Sequence, residues 1–204
     1  MSSGLLILVS APSGAGKTSL IDAALKADPR LVVSISHTTR PQRPGEADGV
    51  NYHFVTQKTF QQMRTDNEFL ECAHVFDNQY GTSREQVNAL RAQDRDVILE
   101  IDWQGADQVR EVVADPVTIF ILPPNESILK ERLINRRQDA LDVIERRLNE
   151  ARLEMAQAGR YDYIIVNDTF AQALVDLQCI ISAERLRASH QIAHRPDVAS
   201  LAGK

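Results

Sequence analysis

Apolar residues in this chain fall into short continuous runs separated by longer stretches in which they recur every three or four positions. Five runs stand out: Leu5 to Val9, Leu31 to Ile35, Val97 to Ile101, Val117 to Leu122 and Tyr163 to Val166. Each has strand length, and most are apolar at consecutive positions, the mark of strands covered on both faces of a parallel sheet. The stretches between them read as helices over Thr18 to Lys26, Arg84 to Gln93 and Gln104 to Val113. Leu141, Ile144, Leu148, Ala151 and Met155 form one helical face, with Asp139 placed to cap it and Gly159 to stop it. Ala173, Leu174, Leu177, Ile180 and Ile181 mark a last helix, capped near Asp168 or Thr169. Strands alternating with helices predict an α/β fold with a parallel sheet core.

Two regions depart from that rhythm. Residues 37–89 hold Pro41, Pro44, Gly45, Gly49 and Gly81 between short strand-like pieces such as Tyr52 to Val55 and Phe69 to Phe76. They predict an inserted, partly antiparallel subdomain. Residues 125–150 are helical in pattern and rich in Arg and Glu, which suits a second mobile element. The predicted layout is one domain over 1–204. Its core comprises 1–36, 90–124 and 151–190, with an insertion at 37–89, a lid at 125–150 and a flexible polar tail at 191–204.

Composition narrows the function. At 204 residues there is room for one core with insertions. A net charge of −5 argues against general nucleic-acid binding, which needs a dominant positive field. No apolar run reaches membrane-spanning length. Cys72 and Cys179 form no metal or disulfide pattern and fit a reducing compartment, so the expected address is cytoplasmic. His190 and His194 are four apart but lack the flanking residues of a zinc-binding helix.

The chemistry begins at Ala11-Pro12-Ser13-Gly14-Ala15-Gly16-Lys17-Thr18-Ser19. A glycine-rich turn between a strand and a helix is the setting of a phosphate-binding P-loop. Gly14 and Gly16 let successive N–H groups turn inward around phosphate oxygens, and the helix N-terminus adds partial positive charge. Lys17 can reach the β- and γ-phosphates, and the Thr18 hydroxyl can ligate Mg²⁺. Ala11 stands where the motif usually has its first glycine, which is tolerable only if that position needs no positive φ.

A second anion site is encoded in Ser36-His37-Thr38-Thr39-Arg40-Pro41-Gln42-Arg43-Pro44-Gly45-Glu46. Each proline pushes the preceding arginine toward extended backbone, so two guanidinium forks stand on a stiffened segment suited to a phosphate. Tyr52 and Tyr80 can add hydroxyl donors. Asp102 ends an apolar strand, where ligands bind in open α/β sheets, with Glu100 two residues earlier on the same face. The alternative for Asp102 is a cap on the helix that starts near Gln104.

The P-loop, Ser36 to Glu46, Gly49 to Phe54, Phe69-Leu70-Glu71, Tyr80-Gly81-Thr82 and Ile101-Asp102-Trp103-Gln104-Gly105 occur in the order and spacing of the guanylate kinase family. Arg160 to Asp168 resembles that family's segment before its last helix, so the resemblance spans about residues 4–188. It implies a P-loop nucleoside monophosphate kinase fold and transfer of a phosphoryl group from MgATP to GMP, giving ADP and GDP. It further implies that Arg40, Arg43, Tyr52 and Tyr80 bind the GMP phosphate and that Ser36, Glu71, Thr82 and Asp102 face guanine. In the lid it implies Arg132, Arg136 and Arg147 as catalytic residues beside Lys17. Arg137 departs from the glycine the family often has there. Asp102 is also a candidate to organise the metal's water shell beside Thr18.

Chemistry supports the guanine assignment. Guanine offers N1–H and N2–H donors that one carboxylate can accept together, whereas adenine would strand that carboxylate. Some lid arginines also read as ion-paired helix surface. Two other functions stay open on sequence: a P-loop kinase for another phosphorylated small molecule, and a non-catalytic peptide-binding module of the same fold. Ala183 to Arg187 reads as a helix end with an exposed basic face, available to a homo-oligomer contact.

Overall fold

The computed structural model describes residues 4–75, 77–135 and 141–203. The chain opens with strand β1 (Leu6–Ser10), helix α1 (Lys17–Ala27) and strand β2 (Leu31–Val33). The insertion follows: β3 (His37–Thr38), β4 (His53–Phe54), α2 (Gln57–Thr65), β5 (Phe69–Val75) and β6 (Asn78–Ser83). Then come α3 (Arg84–Ala92), β7 (Asp96–Glu100), α4 (Trp103–Val112), β8 (Val117–Leu122), α5 (Glu126–Asn135) and α6 (Leu141–Met155). Last are β9 (Tyr163–Val166), α7 (Phe170–Arg185), α8 (Ala188–His194) and α9 (Pro196–Leu201).

The main sheet has the order β2-β7-β1-β8-β9 and is parallel throughout. All five residues of β1 are buried because helices cover both faces. Ile7 and Val9 pack with Leu20, Ile21, Ala173 and Leu177 of α1 and α7. Leu6 and Leu8 point the other way, toward Val87, Ala106 and Val109 of α3 and α4. The consecutive apolar run is thus the period-2 pattern of a strand with two dry faces. The chain leaves β1 toward β2 on one side and later crosses to β8 on the other, so a crevice opens at the carboxyl end of β1.

The insertion carries a separate sheet of order β4-β3-β6-β5. Its β3 pairs with β4 in parallel and with β6 antiparallel, and β5 and β6 form the long antiparallel pair. Helix α2 is absent from the sequence reading. It buries only Phe60, which lies 4.6 Å from the Phe69 ring, so its polar segment shows little apolar periodicity. The Thr56 side chain caps it by accepting from the Thr59 N–H.

Other differences lie at helix ends. Asp139 falls outside the described residues. Helix α6 ends at Met155, and Gly159 sits in a separate 3₁₀ turn over Ala158–Arg160. Regular helix also reaches into the expected polar tail, with Pro196 in the first turn of α9, where its missing N–H costs nothing. The end of α7 is not an exposed basic face. Glu184 is buried, and Arg185 turns inward to pair with Asp28 and the buried Asp96. No helix among the described residues is long and apolar enough to cross a membrane.

Candidate active site

One cleft of about 290 Å³ lies above the carboxyl end of β1. Its walls include Ala11 to Gly14 and Gly16 to Ser19 from the β1–α1 turn and the start of α1, Ser36 just before the insertion, Tyr52, Glu71 and Tyr80 within it, and Asp102 after β7. Residues far apart in sequence therefore meet around one space. Arg40, Arg43, Thr82, Arg132 and Arg147 stand outside that lining, and Arg136 lies outside the described residues.

The turn adopts the form its sequence predicts. Gly16 is the N-cap of α1 at φ 93°, in the left-handed region. A Cβ there would also stand 2.4 Å from Asn167 Nδ2. Asn167 is buried at the end of β9 and donates to the Ala15 carbonyl at 2.7 Å, bracing the loop from behind. Ala11 is not among the non-glycine residues at positive φ, so its methyl group meets no backbone penalty. The Thr18 hydroxyl donates to Glu100 Oε2 at 3.0 Å. Glu100 also lines the cleft.

At the opposite end, Glu71 is 4 % exposed and accepts the buried Thr82 hydroxyl at 2.6 Å. Thr82 therefore holds the carboxylate from behind. The close fit extends to α4, where a Cβ on Gly105 would lie 2.6 Å from Glu71 Oε2. Desolvation pushes the Glu71 carboxyl up to about 7; the Thr82 contacts oppose that rise and the Asp102 charge adds to it. Asp102 caps α4 by accepting the Gly105 N–H at 2.8 Å. Its carboxyl is also raised, chiefly by burial, with Lys17 pulling the other way. Capping and cleft lining are compatible roles.

Arg40 sits beside this end. Its guanidinium lies 5.3 Å from the Tyr52 ring centre and donates to Glu46 Oε1 at 2.7 Å. The second Glu46 oxygen accepts the Arg43 N–H at 2.8 Å, closing the proline-bounded loop. The Tyr52 and Tyr80 rings are 5.9 Å apart. Arg43 is exposed. From α6, Arg147 donates to the Ser13 hydroxyl. Arg132 donates to the Asn167 carbonyl at 3.1 Å, while its Nη1 is buried without a hydrogen-bond partner.

Sequence reasoning gave no role to Asn167, Glu100 or Glu154, all of which meet the loop or the cleft. Glu100 carried a usable signal, since it shares a strand face with Asp102. Asn167 and Glu154 carried none strong enough, because their positions depend on how β9 and α6 dock.

A P-loop at the switch point of a parallel sheet, sharing one cleft with a buried carboxylate on an inserted sheet, is the arrangement of a P-loop nucleotide kinase. Residues 3–184 match the family model for guanylate kinase, and the chain belongs to that family. A guanylate kinase from Alkalilimnicola ehrlichii is 55% identical over 188 residues, covering 92% of this chain and 93% of the relative. One from Methylobacillus flagellatus is 51% identical over 195 residues, covering 96% of each. The crystal structure of guanylate kinase from Anaplasma phagocytophilum superposes with a TM-score of 0.76 at 30% identity, covering 91% of this chain and 88% of that one.

Proposed function

We propose that this protein transfers the γ-phosphoryl group of ATP to GMP, yielding ADP and GDP. The observation that carries this reading is the shared cleft, with a phosphate loop at one end and a buried carboxylate, Glu71, at the other. Residues 11–19 hold the ATP phosphates. Arg40, Arg43, Tyr52 and Tyr80 hold the GMP phosphate, and Ser36 and Asp102 complete the guanine pocket. Glu71 accepts N1–H and N2–H of the base; Thr82 acts by fixing that carboxylate. Neither a kinase for another acceptor nor a peptide-binding scaffold is favoured by full-length relatives of this identity.

The nucleophile is an oxygen of the GMP phosphate, already ionised near neutral pH, so no strong base is needed. It forms a bond to the γ-phosphorus as the bond to the bridging oxygen of ADP breaks. Positioning and charge stabilisation supply the rate. Lys17 neutralises developing charge on the β- and γ-oxygens. Arg132 has an unsatisfied buried Nη1 available for a phosphoryl oxygen, and Arg147 approaches from the lid through Ser13. Arg136 completes the family's set. The Thr18 hydroxyl with Glu100 and Asp102 offers hard oxygen donors that fit Mg²⁺. No three-carboxylate or histidine cage exists among the described residues, in keeping with an ion carried mainly by substrate phosphates. When bound, it neutralises phosphate charge. Two free cysteines and cytosolic substrates support a cytoplasmic address.

Coupled ADP release with MgATP and a panel of nucleoside monophosphates tests the reading. Turnover is expected with GMP and little with AMP, CMP or UMP. Equal turnover across the panel would defeat the guanine assignment, and no turnover at all would defeat the kinase.

A further inference from the structure

Helix α6 sends one more side chain into the cleft. Glu154, in its last turn, lines the same space as the P-loop, Lys17 and Asp102. Its placement follows from packing. Leu148 and Ala151 of α6 are buried against Leu129 and Leu133 of α5, and a Cβ on Gly14 would lie 3.1 and 3.3 Å from those two leucines. Helix α5 therefore lies beside the phosphate loop, with α6 packed on α5. Seven residues before Glu154, two turns along one helix face, Arg147 donates to the Ser13 hydroxyl. The Ser13 N–H faces Glu154 itself. One serine of the loop thus meets both ends of one helix face.

The surroundings of that carboxylate are divided. The Lys17 ammonium and the Ser13 N–H favour its charge, whereas burial, Asp102 and Glu150 disfavour it, and burial wins to hold the carboxyl at about 7. Lys17 and the loop are the groups that the γ-phosphate must use, on the reading of this cleft as an ATP site. A carboxylate there presents to Lys17 the charge that a phosphate oxygen would present, and repels that oxygen when both are ionised.

We propose that Glu154 is a positioning residue that competes with the terminal phosphate of ATP. In the empty protein its carboxylate draws α6 onto the P-loop, and the triphosphate binds only as that carboxylate gives way or takes a proton. The proposal depends on the functional reading above and adds a competing group inside the chain. Because the terminal phosphate is the competitor, a diphosphate should feel Glu154 less than a triphosphate.

The test is equilibrium titration of the full chain with a non-hydrolysable Mg-ATP analogue and with MgADP, for wild type and Glu154→Gln, at pH 8 and pH 6. Glutamine keeps an acceptor for the Ser13 N–H and removes the charge. At pH 8 the variant should bind the triphosphate about three- to tenfold tighter, with a smaller gain for MgADP. At pH 6, where the wild-type carboxyl is mostly protonated, the gap should narrow. Unchanged or weaker triphosphate binding by the variant at pH 8 overturns the proposal, and so does an equal gain for both nucleotides. Should Glu154→Gln fold poorly, Glu154→Asp, which withdraws the charge by one methylene, should show the same direction. Wild-type turnover of GMP is measured alongside. Turnover without the affinity change defeats only the competition by Glu154, and no turnover defeats the functional reading as well.

Discussion

On the proposed reading of the site, Glu71 carries both specificity and its cost. It is almost fully buried, with Thr82 behind it and Gly105 leaving room for it, and its carboxyl sits at about 7 in the folded chain against 4.5 for a free glutamate. The folded pKa is raised, so the folded state holds the proton longer than the unfolded one. The penalty is absent below about pH 4.5, grows as pH climbs to about 7, and is constant above. Glu71→Gln should therefore raise the melting temperature of the ligand-free protein at pH 8, by a free energy of at most about 3 kcal/mol, and change it little near pH 4.5. If Glu71 reads guanine as proposed, the same variant replaces one acceptor with a donor, so kcat/KM for GMP should fall roughly 10- to 100-fold while ATP binding changes little. Equal losses for both substrates would remove Glu71 from the guanine pocket. Wild-type GMP affinity should also weaken by about tenfold from pH 8 to pH 6, as the carboxyl protonates, and the variant should lack that component. Glu71 was legible in the sequence through the motif around it. Its tuning was not, because Thr82, Gly105 and Asp102 reach it only through folding.

Among the elements, the strand–loop–helix of residues 6–27 is the most local in origin. Its apolar run, its glycines and its helix start are contiguous, so the sequence predicts both the turn and its chemistry. Asn167, which braces that turn, lies 152 positions from Ala15. Helix α7 shows a similar long-range dependence. Arg185 donates to Asp96 at 2.6 Å and pairs with Asp28 at 2.7 Å, while Asp96 also accepts the Leu5 N–H at 2.8 Å. The pair pins the last long helix to strands β1 and β7 from a residue that sequence alone placed on an exposed basic face. Removing one partner leaves a fully buried charge, so Arg185→Ala should cost about 3 kcal/mol. A lower urea midpoint with an unchanged GMP kcat at 25 °C is the expected result. An unchanged midpoint would show that the pair contributes no net stability. The short helix α2 is the opposite case, since one buried phenylalanine gives no pattern to read.

The whole molecule places its chemistry between parts. Two apolar clusters on opposite faces of the five-stranded sheet make the rigid frame, and the cleft is closed from its sides by the insertion sheet and by α6. Arg40, Arg132 and Arg147 stand around that opening rather than in its lining, which suits groups brought in by closure. Hydrogen exchange should then show added protection in β3 to β6, α5 and α6 when MgADP and GMP bind together, with β1, β7 and β8 unchanged. Protection spread evenly over the sheet core would argue against closure of these two elements. Such closure excludes water, the competing acceptor for the phosphoryl group.

The amino-acid sequence determined the α/β class, the P-loop and the guanylate kinase resemblance, because each rests on residues adjacent in the chain or on motifs in fixed order. Runs apolar at consecutive positions suit strands of a covered parallel sheet, although Ile164 and Val166 of the edge strand β9 are half exposed, and a glycine-rich turn before a helix can bind phosphate by its own backbone. The tertiary structure alone decided which side chains share the cleft, that Asn167 braces the loop, that Arg185 pairs with the buried Asp96, and that Glu154 lines the cleft with Lys17. Those facts depend on distances between distant segments and on the loss of water around charged groups, and neither is encoded in local periodicity.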